Sequence, residues 1–170
     1  NHHGDVNGVT WTPKGKKGGA CVFDDKDDFV RIPVPDLPDK PKVTLAGWFR
    51  SNKKQGSPVI DCSENNGEYG SHVFIKTNDS LYVNFWGTPG NDRKIQSDAG
   101  LIKHGTWHHF VCTYDGNTGT VYMDGKQIGS HRWEKLNLRL DYPFHVGSRR
   151  GWRNGNYAFD GTIDEVMIYN

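Results

Sequence analysis

The side chains of this sequence best equipped for chemistry are aromatic and basic, and they recur at alternate positions. In His72-Val-Phe-Ile-Lys76 and Leu81-Tyr-Val-Asn-Phe-Trp86, apolar residues alternate with His72, Phe74, Lys76, Tyr82, Asn84 and Trp86. Neighbours on an extended strand point to opposite faces, so Val73, Ile75, Leu81, Val83 and Phe85 make one face and the mixed set the other. Thr77-Asn-Asp-Ser80 between them has turn composition, and a hairpin there puts both outward sets on one surface. Phe144-His-Val-Gly-Ser-Arg-Arg150 alternates likewise and sends His145 and Arg149 outward. The loop that follows adds Arg150, Trp152, Arg153 and Tyr157. This mixture suits a sugar. Aromatic faces cover the apolar C–H patches of a pyranose, amides bond its hydroxyls, and Arg takes carboxylate or sulfate bidentately. Lys76, Arg149, Arg150 and Arg153 together point to an acidic glycan.

Carboxylates collect elsewhere. Asp24-Asp25-Lys26-Asp27-Asp28 places four acids in five residues of a turn, and Asp160, Asp164 and Glu165 flank the last apolar run. Calcium takes about six to eight oxygens, which an acidic turn beside an Asp on a neighbouring strand supplies. The outward positions named above carry no acid. Glycoside hydrolysis needs a pair of carboxyl groups roughly 5–9.5 Å apart across the bond, and adjacent Asp164 and Glu165 point away from each other. The expectation is therefore a non-catalytic protein, although Tyr82, His72 and Arg149 match the residue types of a lyase. Alternation also separates His108 from His109, so Trp107-His-His109 offers no shared metal site.

Strands must hold these positions. The sequence has 170 residues and 21 glycines, many short apolar runs, and hardly a stretch with helical periodicity; that combination reads as all-β. Pro33, Pro35, Pro38 and Pro41 forbid a central strand in their segment. Val43 to Phe49 is a strand with apolar residues on both faces, and Trp48 within it is read as core. Trp133 lies outside the alternating runs, in a rim-like stretch. Asp124-Gly125, between Val121-Tyr-Met and Lys126-Gln-Ile, predicts a type I′ hairpin. About a dozen short strands without repeat or linker make one antiparallel sandwich. The net charge of +1 gives nucleic acid little to bind, and no apolar run approaches a membrane span. Cys21 and Cys112 lie in apolar runs and read as small buried hydrophobes, while Cys62, near a strand end, is open to pairing or to staying free.

Three segments then resemble one family. Trp107-His-His-Phe-Val-Cys-Thr-Tyr-Asp-Gly-Asn-Thr-Gly-Thr-Val-Tyr-Met-Asp-Gly-Lys-Gln-Ile-Gly129 is similar to the central signature of laminin-G-like domains. Tyr157-Ala-Phe-Asp-Gly-Thr-Ile-Asp-Glu-Val-Met-Ile-Tyr-Asn170 looks like their C-terminal signature, and Gly18 to Val30 like their early strand–turn–strand. The resemblance implies a concanavalin A-like jelly roll: an all-β, antiparallel β-sandwich over residues 1–170, lacking the family's first strand. It implies one module of a longer secreted or cell-surface protein, joined covalently to neighbouring domains. It also implies a structural calcium where first and last strands meet, with Asp24 and Asp164 as ligands. A jelly roll leaves a concave outer face free. The expected function is a carbohydrate-binding module that recognises a polysaccharide, an anionic one by its basic residues, through that face and its rim loops. The alternatives are a protein-recognition or adhesion module and a spacer without ligand, between which the fold does not choose.

Overall fold

Among the described residues, short alternating runs fold into sixteen strands and no helix. The computed structural model describes residues 4–34, 42–54, 56–63, 70–88, 93–134, 136–149 and 157–169. In chain order the strands are β1 (Asp5–Asn7), β2 (Thr10–Thr12), β3 (Ala20–Asp24), β4 (Phe29–Ile32), β5 (Val43–Ser51) and β6 (Ser57–Ser63). Then come β7 (Gly70–Ile75), β8 (Leu81–Phe85), β9 (Gly87–Thr88), β10 (Arg93–Gln96) and β11 (His108–Tyr114). The last are β12 (Thr118–Met123), β13 (Lys126–Arg132), β14 (Asn137–Leu138), β15 (Phe144–Val146) and β16 (Asp160–Tyr169). The first sheet runs β1-β4-β15-β6-β7-β8-β10 and the second β13-β12-β11-β5-β16-β3-β2, with β9 and β14 as a small separate pair. The pairings are antiparallel, so the expected all-β sandwich is what the chain forms.

The inner faces meet on Phe23, Phe49, Phe110, Phe144 and Phe159, which are fully buried with Val59, Ile60, Val73, Ile75, Leu81 and Val83. Each such side chain contributes roughly 1.5–3 kcal/mol by leaving water, which is why the apolar half of each alternating run faces inward. Asp124 and Gly125 both take positive φ, 50° and 78°, as the type I′ hairpin between β12 and β13 requires.

Register carries the polar half outward. His72 pairs with Asn84 and Phe74 with Tyr82, so the Thr77–Ser80 turn does join two outward sets. Asp61 pairs with His72, His145 lies between Arg31 and Asp61, and Asn84 meets Lys94. Directly opposed residues share a face. One polar row, Arg31–His145–Asp61–His72–Asn84–Lys94, therefore crosses the outer side of the first sheet.

Two tryptophans sit otherwise than expected. Trp48 is half-buried on the outer face of the second sheet, its ring 4.7 Å from that of His109 and under Lys16 Nζ at 4.3 Å. Alternation along β5 puts it there, opposite in direction to Phe49. Trp133 belongs to the core, 8% exposed and 5.3 Å from the Phe85 ring. All three thiols are free. Cys112 is buried and Cys21 half-buried; Cys62 is buried, donates to the Tyr142 carbonyl at 3.3 Å, and has its pKa pushed by burial to about 12.

Candidate ligand-binding face

The outer side of the first sheet is not flat. His72 and Phe74 of β7, Tyr82 and Asn84 of β8, and Lys76, Arg149 and Tyr157 from the adjoining segments surround a cavity of about 370 Å³, with Gly56 and Thr77 at its wall. That volume falls within the ordinary range of small-ligand sites, roughly 300–1,000 Å³. Five residues expected from alternation, His72, Lys76, Tyr82, Asn84 and Arg149, thus come together with Tyr157 of the expected loop. Their rings do not stand bare. The His72 imidazole stacks on Tyr82 at 5.5 Å, and Lys76 Nζ lies 4.6 Å over the same phenol ring. Phe74 meets Tyr157 at 5.7 Å, and the Arg149 guanidinium lies 6.0 Å from the Tyr157 ring centre. Asn84 is committed to the backbone: its Nδ2 donates to the Gly70 carbonyl at 3.2 Å and its Oδ1 accepts from the Arg93 amide at 3.2 Å. It shapes the wall more than it offers an amide.

Beneath these groups lies an acid that corrects the expectation of an acid-free face. Asp61 is fully buried; its Oδ2 accepts from Ser63 Oγ at 2.5 Å. Its Oδ1 is 3.8 Å from Arg149 Nε and 3.9 Å from His72 Nδ1, ion-pair range but beyond a hydrogen bond. The sequence did hold a signal, the alternation Ile60-Asp-Cys-Ser63, in which Ile60 and Cys62 are core. A bulge between Pro58 and Ile60 reverses the parity of the strand, so alternation counted from Ser57 points Asp61 inward. Phe74 was also an outward position, and its ring forms part of the cavity.

Trp86 does not line the cavity. It is half-buried just past β8, where its amide donates to Ser71 Oγ at 3.0 Å and its carbonyl accepts from the Arg139 amide at 2.9 Å. Arg150, Trp152 and Arg153 lie outside the described residues.

The family model described as the concanavalin A-like lectin/glucanases superfamily, a laminin-G type, matches residues 24–170. The chain belongs to this superfamily. No curated protein matches it by sequence. Among solved structures it is similar to the binding domain of Paraclostridial mosquitocidal protein 1, at 14% identity and a TM-score of 0.79. That match covers 99% of this chain and 44% of the other, so the chain spans less than half of that toxin domain. Domain 4 of AbnA, a GH43 extracellular arabinanase from Geobacillus stearothermophilus in complex with arabinotriose, is 18% identical. Its TM-score is 0.67 over 100% of this chain and 81% of its own. The CBM40 of a Ruminococcus gnavus IT-sialidase, bound to α2,3-sialyllactose, is 13% identical with a TM-score of 0.64, covering 75% of each chain. At these identities the likeness shows the fold.

The calcium ligands carried over to this concanavalin A-like chain do not fit one ion. Asp24 opposes Asp160 across β3 and β16, and Asp164 lies four residues further along β16, roughly 13 Å away at the usual strand rise. The Asp164 carboxylate is engaged elsewhere. Its Oδ2 accepts from the Lys16 and Lys17 amides at 2.7 and 3.0 Å, and its Oδ1 from the Glu165 amide at 2.8 Å. Where the acidic turn does meet the last strand, the chain supplies its own cation. Lys53 Nζ lies 2.5 Å from Asp25 Oδ2 and 3.4 Å from Asp160 Oδ2, and Asn52 Nδ2 donates to Asp160 Oδ1 at 2.7 Å. Asp24, Asp27 and Asp28 do gather their oxygens within 4.8 Å of one another. Within that group Asp24 pairs with Lys26 at 2.6 Å, and Asp28 Oδ2 accepts from the Asp24 amide at 2.9 Å.

Proposed function

We propose that this chain is a non-catalytic carbohydrate-binding module that takes a polysaccharide on the outer face of its first sheet. The observation that carries the reading is the cavity itself, where aromatic, imidazole, ammonium and guanidinium groups from β7, β8 and the segments beyond β15 converge. Sugar recognition needs that combination of apolar faces and directional donors in a largely preformed recess. Glycan-bound domains of the same fold, one with arabinotriose and one with sialyllactose, support it by analogy of fold. The single carboxyl group described beneath the cavity, Asp61, falls short of the acid pair that glycoside hydrolysis uses. On this reading the module works outside the cell, where polysaccharides are met, and is carried by a longer polypeptide.

Affinity electrophoresis of the chain through gels containing neutral and anionic polysaccharides tests the proposal. At least one polymer is expected to retard it, and Tyr82→Ala and Tyr157→Ala are expected to restore free migration while keeping a cooperative unfolding transition. Retardation that survives both substitutions would move the site off this face. A receptor-binding role, the other reading, has its own observation: Trp11 and Val6, 70% and 62% exposed, stand on the opposite edge of the sandwich.

A further inference from the structure

We infer that the cavity on the first sheet selects sugars bearing an acidic group, a carboxylate or a sulfate, and grips them through Lys76 and Arg149; this rests on the glycan-binding reading above.

Five cations elsewhere on the described surface are held by acids. Lys26 holds Asp24 at 2.6 Å, Arg31 holds Asp5 at 3.1 Å, Lys54 holds Asp79 at 3.1 Å and Arg139 holds Asp141 at 2.8 Å. Lys53 is shared between Asp25 and Asp160. What marks the cavity pair is that two cations with no described acid inside hydrogen-bond distance line one recess. Among the described residues Lys76 meets no carboxylate, and its ammonium rests over the Tyr82 ring. The Arg149 side chain is 18% exposed; among the described residues its Nε has no hydrogen-bond partner and the nearest acid, Asp61, stays 3.8 Å off. A guanidinium so far withdrawn from water and left short of acceptors is costly. An incoming anion offsets that cost with charge-assisted hydrogen bonds.

The rings favour the same conclusion. Tyr82 already carries His72 against it and Lys76 over it, while Tyr157 carries Phe74 and Arg149. They therefore act as supports that orient the two cations, and the parts of the rings that carry them are taken from a neutral pyranose. Asn84, the expected hydroxyl partner, is spent on Gly70 and Arg93. Asp61 sits behind Arg149, fully buried and in ion-pair range of its Nε, where it offsets part of that charge from below the recess.

Titration calorimetry of the full chain decides the matter, with oligogalacturonate, a sulfated dextran oligosaccharide and arabino-oligosaccharides as separate ligands. An acidic ligand is expected to bind, more weakly as salt rises. Lys76→Met and Arg149→Met are each expected to weaken it about tenfold, the loss of one charge-assisted contact. Arg132→Met, on exposed β13, is expected to change nothing. Whichever acidic ligand binds identifies carboxylate or sulfate as the partner. Binding of the arabino-oligosaccharide with both cavity variants unaffected would overturn the acidic preference while leaving the glycan reading intact. Equal losses in all three variants would mean diffuse attraction and overturn the site. Absence of binding to every ligand would remove both readings. Lys76 lies half-buried just past the end of β7 and outside the core, so its variant reports even if Arg149→Met unfolds.

Discussion

Asp61→Ala would take the acceptor from Ser63 Oγ and the counter-charge from beneath Arg149. We predict a stability loss of about 1–3 kcal/mol, the usual cost of orphaning buried polar groups, measured as a lower urea midpoint with unchanged slope. An unmoved midpoint would show that the carboxylate contributes nothing to the floor of the cavity. Lys53 leads to a second expectation. Because its ammonium already bridges Asp25 and Asp160, EDTA should leave the melting temperature of the chain unmoved, whereas Lys53→Met should lower it. A drop on chelation, reversed by added calcium, would mean that an ion holds the acidic turn after all. Most of the cavity residues were legible in the sequence because β7 and β8 alternate without interruption, so His72, Lys76, Tyr82 and Asn84 were bound to share a face. Asp61 was hidden by the bulge at Val59, which moves one residue out of step and reverses the faces of those after it. Asp164 was misplaced for a different reason: family likeness located the acid but not the backbone amides of Lys16 and Lys17 that use it.

Hairpins set the register that these residues depend on. Gly125, at φ 78°, has nothing within 4 Å of where a Cβ would stand, so Gly125→Ala isolates the backbone preference from any clash. About 1–2 kcal/mol of destabilisation is expected from forcing an L-residue into the left-handed region, read by thermal or urea unfolding. Wild-type stability in that variant would contradict the turn assigned between β12 and β13. The turn also reaches sideways: Asp124 accepts from the His109 amide at 2.8 Å and meets His108 Nδ1 at 2.7 Å, tying β11 to the hairpin. At this scale the strands and their turns followed from Gly, Asp and Asn placement. The sheet to which each strand belongs did not, because β15 inserts between β4 and β6, and β16 between β5 and β3, across separations that no local pattern records. Trp48 shows the same limit. A tryptophan in an apolar strand reads as core until the neighbouring Lys16 and His109 that cover it from outside are known.

The stability of the whole molecule should depend on acid in a direction that the carboxylates fix. Amides of Thr118 and Asn117 hold Asp115 below the usual carboxylate range, and Arg139 does the same for Asp141. Their contribution is complete above about pH 4 and is lost as pH falls through their lowered values. Burial pushes Asp28 the other way, so its ionisation costs stability as pH rises past the ordinary value, and acidification relieves it. Lys26 lowers Asp24 as Arg139 does Asp141, and at Asp79 burial is outweighed by the nearby Lys54 and His104. With four such groups against one, the melting temperature should fall on acidification below about pH 4; a steady rise would mean that the penalty at Asp28 dominates. None of these groups lines the cavity, so loss of ligand binding and loss of fold remain separable near neutrality. The central claim, that the outer face of the first sheet is the binding surface, is tested most directly by nuclear magnetic resonance mapping. An isotope-labelled chain would be titrated with the polysaccharide fragment that retards it most. The account predicts shifts concentrated at His72, Lys76, Tyr82, Arg149 and Tyr157. Shifts confined to the Trp11 edge or to the second sheet would contradict it.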